Sequence, residues 1–288
     1  MNEQEGLYVI DKIPGPTSFD VVRDLKRLVG NIKVGHTGSL DPFASGVLVC
    51  LTGKATKLSG ILLNADKRYR GVAKLGEATD TLDCTGTLTE TAPVPQTSFE
   101  EVDAVVRSFQ GEWAQVPPTY SAKKRNGVRL YELARQQIHV RCQPVPVHLY
   151  DVHAVKWDPP FLHFEVHCSK GTYVRSLAEE IGRKLGSRAH LSELRRSACG
   201  VFNLEESTTL ENLQREDGKA YRERAFQNYL RLLRMEGLVR RPVGGSTQPP
   251  EGRPRDVQGG RGSAADCQSR LGRDTSWLNY KGNKEVRN

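Results

Sequence analysis

The sequence predicts an α+β domain, with a mixed, largely antiparallel sheet flanked by helices and loops, followed by a disordered tail. Three observations predict it. Helix-like and strand-like stretches alternate irregularly rather than in repeating strand-helix-strand units, and strand candidates alternate apolar and polar residues at period two. From 242 to 262, Gly and Pro supply ten residues with hardly an aliphatic side chain among them, so no core face can form there. At 288 residues the chain can hold one large domain or two ordinary ones, and its low apolar content of 37% fits a body with an unpacked end.

Residues 7–10 form a short β-type run stopped by Pro14-Gly15-Pro16. A helix follows, with Thr17 and Asp20 as a capping-box variant, Val22, Leu25 and Val29 on one face, and Gly30 at its end. Next comes Gly35-His36-Thr37-Gly38-Ser39-Leu40-Asp41-Pro42. Its glycines permit backbone angles closed to other residues and Pro42 biases Asp41 toward an extended backbone, so the carboxylate is held rather than free. Taken alone, such a turn reads as a structural Asx-turn. Residues 47–51 are continuously apolar, a strand buried on both faces with Asp41 at its mouth.

Residues 67–75 predict another strand. Residues 98–109 predict a helix with Ser98 as N-cap, Glu101 closing the box, and Phe99, Val102, Val106 and Phe109 inside. Residues 162–168 alternate at period two, then lead through a Gly-containing turn into a helix with Val174, Leu177, Ala178, Ile181 and Leu185 as its core stripe. The stretch 190–196 reads as helical, with Leu191 and Leu194 inward and Arg195 and Arg196 at its end. A dinucleotide fingerprint and a Walker loop are both missing; Gly53-Lys54-Ala55-Thr56 lacks the upstream glycine.

The formal charge of +8 is misleading as a sign of a polyanionic partner, because residues 240–288 hold ten Lys and Arg against five Asp and Glu. Only three net positive charges remain for 1–239, so clustering must carry the case for nucleic acid. Six cysteines, Cys50, Cys84, Cys142, Cys168, Cys199 and Cys267, form no CxxC pair, which argues against zinc and a disulfide framework and for a reducing compartment. With no signal-like start and no bilayer-length apolar run, the expected location is the cytoplasm, without a membrane partner.

Five segments carry polar residues that packing does not demand: 35–42, Lys67-Arg68-Tyr69-Arg70, the basic stretch 120–129, Gly171-Thr172-Tyr173-Val174-Arg175-Ser176-Leu177, and His190-Leu191-Ser192-Glu193-Leu194-Arg195-Arg196. In this order, over about residues 6–213, they resemble the bacterial tRNA pseudouridine-55 synthases of the TruB family. The resemblance implies isomerisation of a T-loop uridine to pseudouridine without a metal or organic cofactor. The C1′–N1 bond breaks, the base turns, and it rejoins through C5.

On that resemblance Asp41 is the nucleophile or base, Arg175 its charge partner, and Tyr69 the ring that stacks on the flipped base and later helps move a proton. His36 occupies space beside the base, and Tyr173 and Leu194 line its pocket. Phosphates fall to Lys67 and Arg68 with Arg70, to Lys123 and Lys124 with Arg125 and Arg129, and to Arg195 with Arg196. The blander readings are Tyr69 and Leu194 as core residues, His36 as structurally satisfied, and Arg175 and the basic clusters as solvated surface.

The implied partner is the tRNA T-arm, with no protein partner evident and a monomeric state. The implied organisation is a catalytic domain over 1–213 with an inserted thumb at about 116–146, then a helical extension over 214–239 and a disordered tail over 240–288. No β-rich terminal RNA-binding module is recognisable, which suggests a divergent end or one read from a shifted frame. Two alternatives stand beside this: a tRNA-binding chaperone on the same scaffold, and a pseudouridine synthase acting on another RNA.

Overall fold

The computed structural model describes residues 5–30, 32–120 and 142–238, together with the backbone of 124–125 and 128–129. The predicted tail and most of the thumb, including Lys123, lie outside the described residues.

In chain order, β1 (Gly6–Lys12), α1 (Ser18–Val29), β2 (Val34–His36) and β3 (Ser45–Thr52) come first, then α2 (Ser59–Asn64) and β4 (Lys67–Leu75). The small pair β5 (Glu77–Thr79) and β6 (Leu88–Thr91) precedes α3 (Phe99–Arg107) and β7 (Gly111–Gln115). A two-residue hairpin, β8 (Lys124–Arg125) and β9 (Val128–Arg129), leads toward β10 (Val145–Asp158) and β11 (Phe161–Cys168). α4 (Val174–Lys184), β12 (Ala189–Cys199), β13 (Phe202–Asn203), α5 (Leu210–Arg215) and α6 (Gly218–Met235) complete it.

Nine strands form one sheet in the order β1-β3-β12-β4-β11-β10-β7, with β2 added to β3 and β13 to β12. Every pairing is antiparallel except β3 with β12, which makes the sheet mixed, as expected. The apolar run of β3 is continuous because both of its faces are covered. Leu48 and Cys50 enter one core cluster while Val47, Val49 and Leu51 enter the other. Helices α1, α3 and α4 pack on the first face, and Leu232 of α6 reaches the second.

Local signals place most of these elements. Thr17 and Asp20 close the capping box of α1, and Ser98 with Glu101 closes that of α3. Phe99 differs from expectation: as the first residue of α3 it is exposed, whereas Val102, Val106 and Phe109 are buried.

The larger correction concerns 190–196, which is strand β12 rather than helix. Leu191 and Leu194 share the first core cluster at a helix-like spacing because β12 is irregular between Leu191 and Glu193, which resets the alternation. Cys50, Cys84, Cys168 and Cys199 are free thiols, and among the described residues no helix is long and apolar enough to cross a membrane.

Candidate active site

Asp41 lies in the loop between β2 and β3, and the loop is stitched down along its length. Ser18 Oγ, at the start of α1, donates to Leu40 O at 3.1 Å and accepts from Leu40 N at 2.8 Å. Lys12 Nζ, at the end of β1, donates to Ile13 O at 3.0 Å, Pro42 O at 3.1 Å and Ala44 O at 2.6 Å. From β12, Arg196 donates through Nε to Val47 O at 2.6 Å and through Nη2 to Gly38 O at 3.1 Å.

Gly38 has φ +118°, so its backbone does need glycine, whereas Gly35 is not in the left-handed region. Gly46 is required for another reason as well: a Cβ there would lie 2.3 Å from Arg196 O, where β12 crosses β3.

The carboxylate of Asp41 is held by Arg175, the second residue of α4. Arg175 Nε lies 2.9 Å from Asp41 Oδ2, and Nη2 donates to Oδ1 at 3.3 Å, a two-point grip. The guanidinium is fixed from behind as well. Nη1 donates to Thr81 O at 2.9 Å and Asp83 Oδ2 at 3.3 Å, while Nη2 also donates to Tyr120 O at 2.9 Å. Leu82, with φ +61°, makes the left-handed turn from which Thr81 and Asp83 both face one nitrogen.

The Arg175 side chain is 5% exposed and that of Asp41 38%, so the carboxylate alone offers an open edge. Loss of hydration pushes the Asp41 carboxyl above the ordinary carboxylate range, Arg175 pulls it back, Asp83 pushes it up and Lys12 pulls it down, with a net rise. Burial also pushes the Lys12 ammonium down to about 8.

Tyr69 is half-buried on β4, opposite Arg196 in the β4–β12 pairing. Burial pushes its phenol up to about 12, against a hydrogen bond from Arg196, so the hydroxyl keeps its proton at neutral pH. Arg196 thus bridges Tyr69 and the Asp41 loop. His36, at the end of β2, is pushed down by burial and then by Arg196, and its buried Nδ1 has no hydrogen-bond partner among the described residues. Tyr173 stands at the start of α4, and Leu194 is buried in the first core cluster.

Of the cations expected at phosphates, Lys67 and Arg195 are engaged within the protein and Arg68 faces away from Tyr69. Lys67 is 7% exposed, and its Nζ donates to Leu62 O, Leu63 O and Ala65 O at 3.1, 2.9 and 2.5 Å, closing the C-terminal end of α2. We expect Lys67→Met to lower unfolding free energy by about 1–3 kcal/mol, because three carbonyls lose their donor, while tRNA affinity stays within about twofold. Denaturant titration and filter binding check it; a large affinity loss with unchanged stability would return Lys67 to the RNA. Arg68 is exposed, but one residue from Tyr69 along β4 it projects from the opposite sheet face. Arg195 is likewise opposite Arg196, with Nη2 donating to Asp11 Oδ2 at 2.8 Å. The side chain of Lys124 lies outside the described residues.

The structure therefore brings Asp41 and Arg175 together directly and ties Tyr69, through Arg196, to the backbone of the loop that carries Asp41. Lys12 and Asp83 are positioning groups that the sequence did not reveal, and Arg196, which the sequence marks as a phosphate contact, is a third.

The class of protein to which this fold belongs comes from the comparisons, which lead to the pseudouridylate synthases. Residues 26–174 match the TruB family pseudouridylate synthase (N terminal domain), and 175–236 match the tRNA pseudouridylate synthase B C-terminal domain. The chain belongs to the TruB family.

It is 45% identical over 241 residues to tRNA pseudouridine synthase B of Chlamydia muridarum (strain MoPn / Nigg), covering 83% of this chain and 95% of that protein. It is also 45% identical over 217 residues to tRNA pseudouridine synthase B of Caldanaerobacter subterraneus subsp. tengcongensis, covering 75% of each. Among solved structures, a chain of a Cbf5-Nop10-Gar1 complex matches with TM-score 0.57 at 34% identity, covering 73% of this chain and 53% of that one. A chain of an H/ACA RNP bound to a substrate RNA containing 2'-deoxyuridine matches with TM-score 0.53 at 29% identity, covering 81% and 55%. This chain thus spans little more than half the length of those solved chains.

Proposed function

We propose that this chain isomerises uridine to pseudouridine in tRNA, at the uridine of the T-loop, with Asp41 as the reacting carboxylate. The observation that carries this is the two-point hold of Arg175 on an Asp41 that remains open at one edge. Isomerisation loses no atom from the base-sugar pair apart from exchange of hydrogen. The C1′–N1 bond breaks, the base turns, C1′ bonds to C5, C5 gives up its proton and N1 gains one. An ionised carboxylate serves this either as nucleophile or by drawing a sugar proton, and a fixed cation keeps it ionised and aimed.

A stacked loop uridine cannot reach Asp41, so the base must be extruded and its stacking replaced by Tyr69. Its hydroxyl, still protonated at neutral pH, then serves the proton movement at C5 and N1.

Tyr69→Phe keeps the ring and removes the hydroxyl. We expect KM within about threefold of wild type and kcat lower by about 10²-fold. Tyr69→Leu should weaken both, as stacking is lost too. A tRNA transcript carrying tritium at uridine C5 reports the reaction, since one tritium enters water per pseudouridine formed. No release by wild type would refute the proposed activity, and full kcat in Tyr69→Phe would remove the hydroxyl from the mechanism.

A further inference from the structure

We infer that the chain leaving β7 is a splint that sets the catalytic arginine, with Gln115 as its positioning residue. Gln115 is the last residue of β7 and is 1% exposed. Its amide uses both of its functions on the turn that enters α4: Nε2 donates to Gly171 O at 2.5 Å, and Oε1 accepts from Tyr173 N at 2.9 Å. That turn needs an outside support, because Gly171 has φ +80° and Tyr173 gives α4 no side-chain cap.

Two more bonds run alongside. Ser176 Oγ donates to Val116 O at 2.8 Å, and Arg175 itself donates to Tyr120 O at 2.9 Å. Residues 115–120 therefore hold the first turn of α4 at three points, on both sides of Arg175.

The chemistry at position 115 is specific. The amide donates and accepts from one planar end; a carboxylate would accept only, and a thioether would donate nothing and accept only weakly. Released from the splint, the start of α4 shifts, and Arg175 loses its alignment on Asp41. The charged groups facing Asp41 are Arg175 on α4, Asp83 in the loop after β5, and Lys12 on β1, of which Arg175 is the strongest lowering influence. A loosened Arg175 then lets Asp41 protonate at higher pH.

This inference rests on the pseudouridine synthase reading, so wild type is measured in the same tritium-release assay; a failure of that reading appears in wild type, and a failure of this inference only in the variants. In Gln115→Met we expect kcat to fall about tenfold to a hundredfold with KM within about twofold, and the acid limb of the pH–kcat profile to move upward. Gln115→Glu, which keeps the acceptor, should move the limb in the same direction.

Ser187→Ala is the control for general destabilisation: Ser187 is fully buried and its Oγ donates to Pro93 O at 2.7 Å. It should lower the melting temperature while leaving kcat and the limb unchanged. An unmoved acid limb in Gln115→Met, or an activity loss that merely follows melting temperature as in Ser187→Ala, overturns the inference. If Gln115→Met does not fold, Ser176→Ala, which cuts only the bond to Val116, is read by the same limb: upward movement supports the splint and no movement overturns it.

Discussion

Asp41→Asn is expected to lower kcat for pseudouridine formation by on the order of 10⁴-fold, while tRNA affinity stays within about twofold. The substitution preserves shape and removes the charge. An amide also presents N–H groups to the Arg175 nitrogens that now grip two oxygens, so the two-point hold is lost. The loop should still form, because its anchors are Lys12, Ser18 and Arg196, acting on backbone carbonyls and one backbone N–H rather than on the Asp41 side chain. Retained binding with lost chemistry separates an isomerase from a chaperone on the same scaffold. Undiminished isomerisation in Asp41→Asn would refute the assignment of the reacting group.

The second large effect is expected at Arg175. Arg175→Met leaves Asp41 and the buried Asp83 without the cation between them, a cost of about 3–5 kcal/mol in unfolding free energy. In the folded fraction, kcat should fall by about 10²- to 10³-fold through lost orientation. The pH dependence follows from the sign of each influence. On the proposed mechanism Asp41 acts ionised, and burial already places its pKa above the ordinary carboxylate range, so activity should fall as pH falls through that raised value. Arg175 is the largest opposing influence; without it the pKa rises further and the acid limb moves to higher pH. Arg175→Lys is not a substitute, because one ammonium cannot span both Asp41 oxygens, Asp83 and the carbonyls of Thr81 and Tyr120. A pH–kcat profile of Arg175→Met with the wild-type acid limb would contradict this electrostatic role.

What the sequence made legible follows from how local each signal is. Thr17 and Asp20 announce α1 within four residues, and 47–51 announces a doubly buried strand through its own composition. Asp41 and Arg175 were found as members of separate motifs, 134 residues apart, and only their contact had to wait for the structure.

The positioning groups were harder, because a cation in a sequence looks solvated until its surroundings are known. Arg196 and Lys67 look from sequence like phosphate contacts, yet each closes carbonyls of the fold, and nothing in the residues around Lys12 marks a cation that holds three. Asp83 and Gln115 act through partners 92 and 56 to 58 residues away, a reach that no periodicity reveals. The misreading of 190–196 has one cause: the irregularity after Leu191 gives a strand the spacing of a helix.

The most direct test of the account is to incubate wild type and Asp41→Asn with an unmodified tRNA transcript and map pseudouridine by chemical adduct and primer extension. The account predicts one adduct, at the T-loop uridine, with wild type and none with Asp41→Asn. An adduct at that uridine with Asp41→Asn, or none there with wild type, would contradict it.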